Sequence, residues 1–114
     1  MVEDDEDVRV AVRDMLRRRG YEVQEAADGI EALNLLGEGT AYPQLVLTDV
    51  MMPRMTGPQL AKRIEALVPT VKVLYMSGYA NESLESVGGQ RIAFIPKPFN
   101  SEDLLRKIRE TLAG

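Results

Sequence analysis

A doubly wound α/β fold, a parallel sheet covered by helices on both faces, is the class this sequence predicts. Three observations lead there. Strand-like and helix-like segments alternate along the chain, which calls for parallel strands joined by helical crossovers. The strand-like segments include Leu45-Val46-Leu47, an apolar, branched run suited to burial on both faces. At 114 residues, 45% hydrophobic and 28% charged, the chain suits a single globular domain, residues 1–114, with one core.

The elements follow in order. In "EDVRVAVRDMLRRRG", Val8, Val12, Met15 and Leu16 share a helical stripe. Asp4 or Asp5 can cap that helix, and Gly20 ends it. "YEVQEA" reads as a short strand. "DGIEALNLLGEG" has Asp28 as cap and Ile30, Leu33 and Leu36 on one face, and "LVLTDV" is the next strand. "TGPQLAKRIEALVP" starts at a Thr56 cap, carries Leu60, Ile64 and Leu67, and stops at Pro69. "VKVLYMSG" is a strand, "NESLESVGG" a weak short helix and "RIAFIPKP" another strand. "NSEDLLRKIRETLAG" closes as a helix with Asn100 as cap and Leu104, Leu105, Ile108 and Leu112 inward. Asp5, Glu6 and Asp7 read as cap and first-turn acids, and Arg17, Arg18 and Arg19 as a solvated helix end favoured by the dipole.

Composition removes several functions. With neither cysteine nor histidine, the chain has no disulfide, no zinc site of the usual kind, no Ser-His triad and no phosphohistidine of its own. A net charge of -4 argues against a nucleic-acid surface. No apolar run approaches the ~20 residues of a membrane span. The cytoplasm is the expected compartment, and no membrane contact by this domain is expected.

In parallel sheets the working site lies at the carboxyl ends of the strands. Glu3 and Asp4 stand before the first helix, Asp49 ends "LVLTD", Ser77 follows "VLYM", and Lys97 follows "AFIP". Three carboxylates about 4 Å apart would repel by about 4 kcal/mol per pair at an effective dielectric near 20, so a cation should bind among them. All-oxygen ligands favour Mg²⁺, with Ca²⁺ or Mn²⁺ as competitors. A divalent ion, an ammonium and a hydroxyl together suit a phosphoryl group. No GxxxxGK[ST] loop is present to hold a nucleotide, which leaves the Asp49 carboxylate as the candidate acceptor.

The set "VEDDEDVR", "LVLTDVMMPRMTG", "LYMSGYA" and "FIPKPF" resembles the receiver domain of two-component response regulators, in wording most like the receivers of hybrid sensor histidine kinases. The resemblance spans essentially the whole chain. It implies a five-stranded sheet in the flavodoxin-like order 2-1-3-4-5. It also implies that Asp49 accepts phosphate from a phosphohistidine on a histidine kinase or histidine phosphotransfer protein. Asp4 and Asp49 would bind Mg²⁺ directly, Glu3 mainly through water, and the Met51 backbone carbonyl would complete the site. Ser77 and Lys97 would each meet a phosphate oxygen, Phe94 would be the switch aromatic, and the Lys97–Pro98 bond would be cis. The chain would be a phosphoacceptor that assists its own phosphorylation rather than an enzyme, and a homodimer is compatible with it. Ser77 stands where threonine is more frequent.

Two rivals use the same residues. A haloacid-dehalogenase-like phosphatase also has a strand-end aspartate nucleophile and Mg²⁺, but needs a second acid where this chain has Met51. A pseudo-receiver docking module would not need the intact set of Glu3, Asp4, Asp49, Ser77 and Lys97. One departure concerns the first strand, of which only Met1, Val2 and Glu3 are present where strands average ~5–6 residues. So short a central strand is expected to leave backbone groups on its neighbours unpaired. The functional polypeptide is therefore expected to extend upstream, or else to be marginally stable or to borrow a strand.

Overall fold

The computed structural model describes residues 1–38, 42–52, 54–77, 86–87, 90–91 and 93–113. Its elements are α1 (Glu6–Arg18), α2 (Gly29–Glu38), β1 (Leu45–Asp49), α3 (Gly57–Leu67), β2 (Lys72–Ser77), β3 (Ser86–Val87), β4 (Gln90–Arg91), β5 (Ala93–Pro96) and α4 (Ser101–Ala113). β1, β2 and β5 form a parallel sheet in that order. Beyond β1 the sheet continues through single bridges: Val2 pairs in parallel with Thr48 on one side and Ala26 on the other. The spatial order is thus the Ala26 segment, Val2, β1, β2, β5, which is the expected 2-1-3-4-5.

Two of the five strands are reduced to bridges, for a geometric reason. Successive residues of a strand turn their N–H and C=O to opposite sides. In a three-residue stub only Val2 faces β1: its N–H donates to the Leu47 carbonyl at 2.7 Å and its carbonyl accepts from Asp49 N–H at 3.1 Å. Met1 and Glu3 face the other way and exchange bonds with Ala26. The stub's own groups are therefore paired. Beside it lies a cavity of about 690 Å³, bordered by Tyr21 and Val23 on one flank and Leu45 on the other.

Helices cover both faces. Val46 of β1 packs with Ala32, Leu36, Leu60 and Ile64 of α2 and α3. Leu47, the next residue, packs on the opposite face with Val12, Leu16, Leu104 and Ile108 of α1 and α4. That alternation along one strand is the doubly wound architecture. No described helix is long and apolar enough to cross a membrane.

Helix ends follow side-chain chemistry. Asp5 caps α1 by accepting from the Asp7 and Val8 amides, and Gly20 leaves the helix at φ +90°. Thr56 caps α3 in a reciprocal box with Gln59. Thr56→Ala is expected to cost about 1 kcal/mol in urea denaturation; an unchanged midpoint would show that the box adds nothing. Asn100 caps α4 through the Asp103 amide.

Three expectations need correction. Ile30 is exposed, because Ala32 and Leu36 form the inward stripe of α2 with Leu33 and Leu35 at its margin. Leu67 is also exposed; Val68, just past the helix, takes the buried place. The expected short helix over residues 81–89 does not hold at Ser86–Val87, which pairs antiparallel with Gln90–Arg91. Ser86 and Val87 pair across to Arg91 and Gln90, whereas a helix would satisfy its backbone groups within its own turns. The rest of that segment lies outside the described residues.

Candidate functional site

β1 delivers Asp49 to the sheet edge as its last residue, 6% exposed. The registers Asp49↔Met76 and Ser77↔Pro96 bring the ends of β1, β2 and β5 to one edge. Lys97 follows β5 directly, and its amide donates to the Ser77 carbonyl at 2.6 Å. Ser77 ends β2 and is buried. Glu3 enters from the stub, 1% exposed, beside Asp4, which faces solvent.

The charged groups converge as the sequence led us to expect. Glu3, Asp4 and Asp49 offer carboxylate oxygens that all lie within 4.8 Å of one another. The Lys97 ammonium sits 2.6 Å from Asp49 Oδ1 and 2.7 Å from Glu3 Oε2. Glu3 Oε1 accepts the Asp5 amide at 3.0 Å. Burial pushes the Asp49 carboxyl up to about 8, reinforced by the Glu3 carboxylate at its side and opposed by Lys97. Burial also opposes ionisation of Glu3, but bonds to Asp49, Lys97 and the Asp5 amide outweigh it and hold Glu3 below the usual carboxylate value. The two carboxyls thus shift in opposite directions, Asp49 toward its protonated form and Glu3 toward its ionised form. Lys97 is held above its ordinary value: burial lowers it, and the two carboxylates more than compensate.

The donor set suits a hard divalent cation. All three carboxylates supply oxygen, one of them is open to solvent, and a second positive charge would favour an ionised Asp49 against the burial and the Glu3 neighbour that raise its carboxyl. Receiver domains bind Mg²⁺ at an acidic pocket of this kind.

The remaining sequence candidates lie around this cluster. Met51 stands in the bend after β1, its side chain 74% exposed. Phe94 is half-buried on β5 and lines a shallow depression of about 380 Å³ with Phe99 and Lys107. It is not among the described groups that touch the carboxylates. The Lys97–Pro98 bond is cis.

Two residues matter here that sequence reasoning passed over. Arg9 donates to the Glu3 carbonyl at 3.0 Å. Gly57 packs against the backbone at the end of β1: its amide donates to the Val50 carbonyl at 2.7 Å, and a Cβ there would overlap the Asp49 carbonyl oxygen. A side chain would push α3 and the end of β1 apart. Gly57→Ala is expected to destabilise by about 1–3 kcal/mol and to displace Asp49. Chemical denaturation checks the first part, and a melting midpoint equal to wild type would contradict it. The signal in the sequence was a glycine placed directly after a cap, where helix propensity alone would disfavour it.

Comparisons with known proteins agree with this geometry. The family model described as the response regulator receiver domain matches residues 1–109. The sensor kinase CckA of Brucella abortus (strain 2308) is 36% identical over 98% of this chain, which spans 12% of that protein. The response regulator MprA of Mycobacterium sp. (strain KMS) is 34% identical over 98% of this chain, which spans 49% of it. Among solved structures, the receiver domain of the hybrid histidine kinase CckA superposes with a TM-score of 0.81 at 38% identity, covering 97% of this chain and 94% of that one. A CheY-like receiver domain protein from Methanospirillum hungatei JF-1 gives 0.85 at 34% identity, covering 98% and 90%. With the strand order, the acidic cluster and these likenesses in hand, the chain belongs to the response regulator receiver domain family and is a receiver domain of two-component signalling.

Proposed function

We propose that Asp49 is the phosphoacceptor of this receiver and that Glu3, Asp4, Asp49 and the Met51 carbonyl hold Mg²⁺ beside it. The observation that carries the proposal is the Asp49 carboxylate at the end of a buried strand, within 4.8 Å of two further carboxylates and 2.6 Å from the Lys97 ammonium. A bound Mg²⁺ supplies charge neutralisation for the incoming phosphoryl oxygens. An ionised Asp49 oxygen attacks the phosphorus of a phosphohistidine on a histidine kinase or histidine phosphotransfer protein. The new O–P bond forms an acyl phosphate, the P–N bond breaks, and its electron pair stays on the departing imidazole. Lys97 turns from its carboxylate partners to a phosphoryl oxygen, and the Ser77 hydroxyl donates to another. Phosphorylation adds about two negative charges at this edge. The rearranged ion network then favours a second arrangement of β5, Phe94 and α4, which a partner reads. The likeness to a sensor kinase's receiver supports a phosphorelay in the cytoplasm as the setting.

The test is intact-mass measurement after incubation with acetyl phosphate. One stable phosphoryl adduct that requires Mg²⁺ and disappears with chelator is expected. Rapid turnover of phosphoesters without an adduct would point to a phosphatase instead. No adduct and no turnover would leave only a docking role.

A further inference from the structure

Glu3 is held on every polar atom. Its amide donates to the Ala26 carbonyl at 3.0 Å, its two carboxylate oxygens accept from the Asp5 amide and Lys97, and its carbonyl accepts from Arg9 Nη1 at 3.0 Å. Asp4 differs. Among the described residues its carboxylate makes no hydrogen bond or ion pair, although it completes the cluster of three. Its direction is therefore set by the backbone that delivers it. The Glu3 carbonyl belongs to the peptide unit that joins Glu3 to Asp4, and that unit is planar and stiff. A bond on its oxygen fixes the angle at which the chain departs toward Asp4.

Arg9 is itself anchored. Its Nε lies 3.4 Å from Glu25 Oε1, and Arg13 Nη1 donates to the other Glu25 oxygen at 2.8 Å. The Arg9 side chain is 16% exposed. Glu25 immediately precedes Ala26, so the same short segment grips both the Glu3 amide and, through Arg9, the Glu3 carbonyl. A guanidinium near a cation site would repel the cation, and Glu25 offsets that charge.

We propose that Arg9 is a positioning residue for the divalent-cation site: its bond to the Glu3 carbonyl sets the Glu3–Asp4 peptide plane and thereby the spacing of the three carboxylates, with Glu25 cancelling its charge. This rests on the reading of the cluster as a cation site. Groups that orient metal ligands without touching the metal typically change affinity by 10–100-fold when removed.

The experiment is calorimetric titration of the full chain with Mg²⁺, paired with melting of the metal-free protein. Wild type is expected to bind one Mg²⁺. Absence of binding would overturn the cation-site reading itself, and this inference with it. Given wild-type binding, Arg9→Met is expected to weaken affinity about tenfold. Equal or tighter binding in Arg9→Met, with or without a lower melting temperature, would overturn the positioning role alone. Arg13→Ala removes one Glu25 bridge but leaves the bond to Glu3, and should bind as wild type does; a loss equal to that of Arg9→Met would mean that the network, not the Glu3 bond, matters. Glu25→Gln should weaken binding more at low salt than at high salt, and an unchanged affinity would remove the charge-cancelling part. Should Arg9→Met fail to fold, Arg9→Lys carries the same test. It keeps the charge and loses the planar fork that spans two acceptors, so affinity equal to wild type would again overturn the proposal.

Discussion

Asp49→Asn is expected to abolish phosphoryl uptake and, in the same protein, to raise the melting temperature of the metal-free state. The amide cannot act as the nucleophile, so the adduct is lost. Stability moves the other way because Asp49 is buried beside Glu3, and burial and that neighbour push its carboxyl up to about 8. An acid with a raised folded-state value binds protons that the unfolded chain releases. Stability is then full below the ordinary carboxylate value near 4 and falls as pH rises toward 8. Asparagine keeps the shape and removes the charge, while Lys97 keeps its bond to Glu3. The gain should therefore be small near pH 4 and largest near pH 8, at about 1–2 kcal/mol. Melting in chelator across that range measures it. A variant less stable than wild type at pH 8 would mean that the Lys97–Asp49 pair outweighs the desolvation and repulsion at this site.

Lys97→Ala is expected to slow phosphorylation by about 10²–10³-fold, the typical cost of deleting a donor aimed at developing oxyanion charge. Mg²⁺ affinity should hold or rise. The ammonium lies 2.6 Å from Asp49 and 2.7 Å from Glu3, so it competes for the oxygens a cation would use. Two measurements separate these effects, the rate with acetyl phosphate at saturating Mg²⁺ and a direct Mg²⁺ titration. If affinity collapses while the rate survives, Lys97 holds the cluster together rather than meeting the phosphoryl group.

The site was legible because its residues violate burial rules. A carboxylate closing a buried strand and a lysine after another are expensive without partners, so the sequence points to one cluster at the strand ends; that Asp49 and Lys97 pair directly within it is read from the structure. Glu3 and Asp4 were legible as a pair, but not in their division: Glu3 is the buried anchor and Asp4 the solvent-facing arm. Arg9 stayed hidden because an arginine on the first turn of an amphipathic helix looks like any solvated charge. Only the structure shows its side chain reaching back to the Glu3 carbonyl. Gly57 stayed hidden because its constraint is a backbone approach across two elements.

The helices were read from apolar spacing, and their cores were right at Val12, Leu16, Leu60, Ile64, Leu104 and Ile108. Periodicity misjudged the margins. Ile30 lies on the far side of α2 from the Ala32 and Leu36 stripe, and Leu67, the last residue of α3, yields its buried place to Val68. The pattern "YEVQEA" is strand-like, yet it shows a single bridge, at Ala26, because pairing depends on a neighbour of matching length. No local propensity records that length.

Chemical trapping of the adduct tests most directly whether Asp49 is the phosphoacceptor. After phosphorylation with Mg²⁺ and acetyl phosphate, borohydride reduces an aspartyl phosphate to homoserine, and peptide mapping then locates the changed residue. Homoserine is expected at position 49, in a yield that follows the phosphorylated fraction and vanishes with chelator. Homoserine at another aspartate, or a phosphoryl group that resists borohydride and maps to Ser77, would contradict it.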